Sequence, residues 1–447
     1  MNNLFEKAPI HKAYFQLALP VVFSMVASMA YNLADTFFVS QTQNADLVAG
    51  VSICTPLFSL MLAFGDIFGI GGSALISRLL GEGNKKQSAR ISSFCFYAAI
   101  VFSAIVTVIM LIFERPILAL MGATNATYQY AAAFYRIMAI GGGAIIVSLV
   151  PGNLLRTEGL AVQSMIGTIS GVVITIILDP VFIFTLGLGA GGAASATVVG
   201  YLISTIILTL YTIRQGKVLN VKPALAKVNL KTIIPLFTIG IPASITNLMQ
   251  SFGTALLNNY LAPYGAKPVA ALGISLKIYL VVMLFMIGFA FGAQPLIGYN
   301  YGSQNKKRFY GIIRFDLLIE IIVAVLVAGV LILLAPQITG LFMHDPTIIK
   351  QGTTILRCLL ITTPLIGVIL VFTTVFQSAN KAVSAFLMSI TRQGVLLWLV
   401  IAVTAKVWGY YGIIWAQPLA DVLTFVVGCT LYLHMKKSNN DNKIENK

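Results

Sequence analysis

Apolar residues run along this chain in stretches of about 20 or more, separated by short polar segments. A membrane barrel would show alternating strands of about ten residues, whereas an α-helix rising 1.5 Å per residue needs about 20 apolar residues to cross the hydrocarbon. The pattern predicts twelve helices, at roughly 13–42, 46–80, 90–113, 127–155, 161–187, 190–213, 231–263, 268–300, 308–335, 346–379, 382–405 and 410–435. Pro20, Pro56, Pro151, Pro180, Pro242, Pro295, Pro364 and Pro418 fall inside these runs. Each removes a backbone donor, so each is an expected kink.

The pattern also repeats. Gly81-Glu82-Gly83-Asn84-Lys85-Lys86 is answered by Gly302-Ser303-Gln304-Asn305-Lys306-Lys307, and Arg136 by Arg357, at an offset of 221. Gly189 and Gly192 are answered by Gly409 and Gly412 at 220, and Pro20 by Pro242 at 222. Six spans per half give both halves the same orientation, a parallel repeat about an axis along the membrane normal. The expected fold is an all-α membrane protein with twelve transmembrane helices in two six-helix lobes related by a pseudo-two-fold. Its divisions are an N-lobe over 1–213, a basic linker over 214–230, a C-lobe over 231–435 and a tail over 436–447.

Composition narrows the class. Of 447 residues, 58% are hydrophobic and 10% charged, against about 25% charged in soluble chains. This excludes a cytosolic enzyme, a disulfide scaffold and a disordered chain. The net charge of +15 arises from short loops. Of the Lys and Arg residues outside the spans, 21 fall on one face and four on the other. The positive-inside rule then places both termini in the cytoplasm, in a multi-pass protein of the cell (inner) membrane in contact with its lipid. The basic excess needs no nucleic-acid partner. Cys54, Cys95, Cys358 and Cys429 lie inside apolar runs and read as small hydrophobes. No GxxxxGK[ST], HExxH or GxSxG motif is present, so no enzyme, nucleotide cofactor or structural metal is expected. The glycines at Gly69, Gly71 and Gly72 read as close helix packing.

Ionisable residues inside spans are the candidate functional groups, because a carboxylate at the bilayer centre costs roughly 2.5–3.5 kcal/mol. Asp35 on the first span, Asp179 on the fifth and Thr197 on the sixth fall at one depth, and Thr175 lies one turn from Asp179. Pro180 frees the carbonyl of Ile176. Such an all-oxygen set suits a hard cation or a proton. The alternatives are that the carboxylates bridge helices at a wet mouth or pair with Arg136. Tyr135, at the same depth, is either a further donor or a packing residue. Tyr31, one turn before Asp35, lines the pocket or packs. Asp66 is a possible cleft residue. Arg392 and Asp421 are expected to form a structural ion pair, with substrate contact as the alternative and Lys277 as a second partner for Asp421. Asp316 and Glu320 are expected at a wet edge, paired with Arg314 or Lys307.

The chain resembles the multidrug and toxic compound extrusion (MATE) family, in its DinF and MepA-like bacterial branch. The resemblance spans nearly the whole chain. It rests on Pro20 with Ala34-Asp35-Thr36-Phe37-Phe38, on Ser77-Arg78-Leu79-Leu80-Gly81 and Arg156-Thr157-Glu158-Gly159, and on Ile177-Leu178-Asp179-Pro180 and Gly191-Gly192-Ala193-Ala194-Ser195-Ala196-Thr197. It implies a secondary antiporter that exchanges inward H⁺ or Na⁺ for outward movement of hydrophobic, often cationic, drugs. It further implies a cation site at Asp35, Thr175, Asp179 and Thr197, and a bending first helix at Pro20. Thr175 replaces the branch's usual Asn, which favours H⁺ over Na⁺. Gln250 stands at the seventh-helix position that is acidic in other branches, and the tenth span has no acid, so a C-lobe cation site of that kind is not expected.

The expectation is therefore an exporter working by alternating access, as a monomer, on lipophilic or cationic drugs. A flippase for a lipid-linked or amphiphilic substrate is the alternative, and a membrane receptor or scaffold the non-transport rival.

Overall fold

In a computed structural model the protein is described over residues 3–342 and 345–441; residues 1–2, 343–344 and 442–447, which include His344 and the end of the expected tail, lie outside the described residues. The described residues form helices and no strand. The spans are α1 (Ile10–Ser40), α2 (Ala45–Gly81), α3 (Lys85–Ile112), α4 (Tyr128–Thr157), α5 (Ala161–Thr185), α6 (Gly189–Gln215), α7 (Leu230–Tyr264), α8 (Ala266–Gly302) and α9 (Lys306–Leu333). The tenth, α10, is a pair, Pro346–Ile361 and Thr363–Ser378, bent by 45°. The last apolar stretch, Ala382–Ser438, is divided by Gly409, whose φ of 55° and ψ of −129° no helix accommodates and which favours a residue without Cβ. Across this break the Thr404 hydroxyl donates to the Gly412 carbonyl at 2.8 Å. Its two parts are α11 and α12, which completes the expected twelve.

Proline marks several irregularities. Pro56 and Pro364 sit in the first turn of the helices that restart α2 and α10, where a missing N–H costs nothing. Pro180 ends the regular part of α5, which continues as a π-turn over Val181–Thr185. Pro20 stays within continuous helix, and the Ser24 hydroxyl donates to its carbonyl at 2.9 Å.

The two halves meet through α1 and α2 on one side and α7 and α8 on the other. Small residues set the closeness of approach. A side chain on Gly240 would overlap the carbonyl of Ile67, and one on Gly302 the carbonyl of Arg78. Gly71 packs on Leu236 and Gly240, so the glycine run of α2 serves helix packing as expected. Hydrogen bonds across the halves join Tyr14 to Asp316, Glu6 to Tyr299 and Asp66 to Asn247. All of these lie between mid-depth and the Lys/Arg-rich end, so the bundle is sealed at that basic end. The N-terminal turn Asn3–Lys7 adds to the seal: Asn300 and Arg308 both donate to the carbonyl of Phe5. The linker is ordered on the N-terminal half. Glu158 accepts the backbone N–H groups of Lys217, Val218 and Leu219, Ser92 and Ser93 donate to the Asn220 carbonyl, and Tyr97 to that of Val221.

Replacing Gly240 by Val should overpack the α2–α7 contact by about 1–3 kcal/mol and push the bundle open at its basic end. Alkylation of a cysteine placed at Ser77, fully buried at that end, should then be faster in the Gly240→Val protein than in its parent.

Candidate functional site

Asp35 and Asp179 face one another across α1 and α5, close enough for their charges to interact. Asp179 is 0% exposed. Its two carboxylate oxygens and Oδ1 of Asp35 are buried without a hydrogen-bond partner from the chain. Around them stand hydroxyls. Tyr31 and Thr197 share a hydrogen bond of 2.8 Å, and Tyr31 lies within electrostatic range of both carboxylates and of Tyr201. Thr175, one turn before Asp179, donates to the Gly171 carbonyl at 3.0 Å and packs on the backbone of Gly200. Gly171 and Gly200 thus bring α5 and α6 together where these hydroxyls lie. Buried oxygen atoms without partners are unusual, since burying a polar group without a hydrogen bond is costly. Here they converge from two helices, α1 and α5. Among the described residues no group of three or more His, Cys, Asp or Glu side chains could hold a metal ion, so any ion held here would rely on hydroxyl as well as carboxylate oxygens.

At this depth Tyr135 takes the packing alternative, and the alternative pairing of the carboxylates with Arg136 is not made. Tyr135 is fully buried but turns toward α3, where its hydroxyl donates to the Met110 carbonyl at 2.8 Å. Arg136 faces the opposite way from the site and is 59% exposed. It grips Glu114 with two hydrogen bonds of 2.8 Å, and that bond holds the Glu114 carboxyl below its ordinary range. Glu114 precedes the span in a short helix, Glu114–Leu120, 22 residues away in sequence, and nothing local marks it as the partner.

Asp66 sits at the floor between the halves. It accepts from Asn247 Nδ2 at 2.9 Å and feels the charge of Arg156, which also donates to Asn153 and Ser164. Gln250 lies one turn beyond Asn247 on α7 and is half-buried. Arg392 and Asp421 form the expected ion pair at 3.0 Å, almost fully buried. Tyr279 accepts from Arg392, while Thr362 and Gln417 donate to Asp421. Lys277 is exposed. Asp316 and Glu320 contradict the wet-edge expectation: both are fully buried on α9, because their face of that helix turns inward to α1, α8 and α10 while Arg314 points out.

Two parallel six-helix halves, sealed at one end and carrying partnerless carboxylates in the wall, define a multi-pass membrane protein built by duplication. The chain belongs to the MatE family, whose model matches residues 20–181 and again 242–403. The second match starts 222 residues after the first, the spacing of the internal repeat. The chain is 29% identical over 419 residues to the multidrug export protein MepA of Staphylococcus aureus (strain NCTC 8325 / PS 47), covering 94% of this chain and 92% of that one. It is 30% identical over the same length to MepA of Staphylococcus haemolyticus (strain JCSC1435), with the same coverage. An outward-facing multidrug resistance MATE family transporter of the MOP superfamily superposes with a TM-score of 0.90 at 22% identity, over 98% of both chains. So does a MOP superfamily transporter from Pyrococcus furiosus, over 98% of this chain and 97% of that one, whose binding pocket of reverse polarity suggests a different function for that protein. These structural likenesses speak for the fold.

Asp421→Ala would strand Arg392 in the interior and should cost about 3–5 kcal/mol, whereas replacing both partners by apolar residues of similar volume, Arg392→Met with Asp421→Leu, should recover most of that loss. Thermal unfolding of the purified variants in one detergent checks both.

Proposed function

We propose that the protein is a secondary active exporter of lipophilic, often cationic, drugs, antiporting them against H⁺ by alternating access. The observation that carries this reading is the cluster of three partnerless carboxylate oxygens of Asp35 and Asp179, ringed by Tyr31, Thr175 and Thr197. A charge can be placed on or removed from such a group only by an ion or a proton, and either change alters how α1 packs on α5 and α6. Multidrug export is the function named for the MepA relatives. With the basic end in the cytoplasm, the seal at that end makes this the outward-facing state, and Pro20 is the point at which α1 bends once Asp35 and Asp179 are neutralised.

H⁺ is preferred to Na⁺ because the Thr175 hydroxyl is committed to its own helix backbone, where an Asn side chain would reach further. A flippase for a lipid-linked substrate would need free cations in the cleft. Arg392, Arg136 and Arg156 are instead engaged by Asp421, by Glu114, and by Asn153 and Ser164, which favours the exporter.

In proteoliposomes, outward movement of a fluorescent lipophilic cation should follow an imposed pH gradient. Asp35→Asn or Asp179→Asn should reduce it to the rate of protein-free liposomes. A Na⁺ gradient that drives movement where a pH gradient does not would replace H⁺ by Na⁺. Movement under neither gradient would overturn the exporter reading for that cation.

A further inference from the structure

The C-terminal half contains a second set of partnerless buried acids. Asp316 and Glu320, one turn apart on α9, are both 0% exposed. Both oxygens of Glu320 and Oδ2 of Asp316 have no hydrogen-bond partner from the chain. The one side-chain hydrogen bond to the pair among the described residues comes from the other half of the molecule: Tyr14 Oη donates to Asp316 Oδ1 at 2.8 Å, across 302 residues. Charged groups that could balance these acids point elsewhere. On α9, Arg314 is exposed and Arg308 is held by the carbonyls of Leu4 and Phe5. From α8 and α10 the neighbours are Met286, Ala290 and Gly367. Arg357, before the bend of α10, donates to the Ile332 carbonyl.

The internal repeat supplies a control within the same molecule. α3 and α9 correspond at an offset of 221, so Cys95 and Ala99 occupy the places of Asp316 and Glu320; at the offset of 222 set by Pro20 and Pro242, Leu236 occupies that of Tyr14. All three counterparts are fully buried. The scaffold therefore packs this position without an acid or a hydroxyl, and the acids and the tyrosine are present in one half only. One turn nearer the basic end, Ile10 of α1 meets Gly311 of α9. There a surface cavity of about 780 Å³ is lined in part by Ile10, Tyr310, Gly311 and Arg314, and by neither acid.

We propose that Asp316 and Glu320 are a second proton-binding site, and that Tyr14 makes it a latch on the basic end. This rests on the alternating-access reading above. Two carboxylates side by side without a cation share a proton, leaving one negative charge, which Tyr14 stabilises on Asp316. Hydrogen bonds to an ionised acceptor are about twice as strong as neutral ones. A second proton, arriving on Asp316, neutralises the acceptor and weakens the bond that ties α1 to α9. The basic end then opens, and the proton leaves to water there. The cycle of an antiporter needs this order, in which proton uptake in the sealed state is followed by opening on the opposite face.

The test uses the full chain in lipid nanodiscs with spin labels on Lys85→Cys and Lys307→Cys, both exposed at the basic end, and Cys429→Ser. Asp35→Asn and Asp179→Asn silence the first site. No drug is present. In this background acidification should increase the long-distance population. Asp316→Asn or Tyr14→Phe should raise that population at neutral pH and flatten its pH dependence. As a second readout on the unlabelled background, the infrared absorption of protonated carboxyl groups at neutral pH should diminish in Asp316→Asn/Glu320→Gln. Distances and infrared band both unchanged by these substitutions would overturn the proposal. A protein that exports drugs without this response retires the latch alone. The response in a protein that exports nothing retires the exporter reading alone.

Discussion

Hydrocarbon offers no hydrogen bonds, and the rest of this structure follows from that constraint. Each polar group carried into the bundle must find its partner within the chain, and most do. Serine and threonine hydroxyls return to the carbonyl four residues back, as Thr212 and Thr424 do. Gln294 finds Gln377, and Arg392 finds Asp421 with three further groups around them. Against that economy, the bare carboxylate oxygens of Asp35 and Asp179, and of Asp316 and Glu320, are departures from the rule by which most other polar groups are placed. Natural proteins retain such departures where an ion or proton completes the set.

Much of this was legible in the chain because a charge in an apolar run is conspicuous and helix rise converts position into depth. Depth alone brought Asp35, Asp179 and Thr197 to one level, and Arg392 and Asp421 to another. The offset of the repeat was legible from loop residues such as Gly81 and Gly302. Azimuth was not. Tyr135 and Arg136 are neighbours at the right depth, yet one turns to α3 and the other to Glu114. Asp316 and Glu320 lie among basic residues in sequence, and only packing shows that their face of α9 is turned inward. Tyr14 near the start of a span reads as an interfacial aromatic, and no local pattern ties it to an acid 302 residues away.

The duplication explains both the symmetry of the architecture and its asymmetry of chemistry. Glycine and proline positions recur because they govern how closely helices approach and where they bend. The acids inside the spans do not recur. The N-terminal half places its acids on α1, α2 and α5, the C-terminal half on α9 and α12. Equivalent scaffolds with different polar contents let the halves differ in function while still packing on each other as near-equivalents.

The docking of the linker limits how far the molecule can flex. Val221 is the last residue of that segment hydrogen-bonded to the N-terminal half, and α7 begins at Leu230. Eight residues, 222–229, therefore act as the leash between the halves, at most about 30 Å even when fully extended. The short 3₁₀ turn at Pro223–Leu225 takes up part of that length. The halves can rock about their shared contact, but the leash bars them from drifting apart, so any opening at this end has a built-in maximum width.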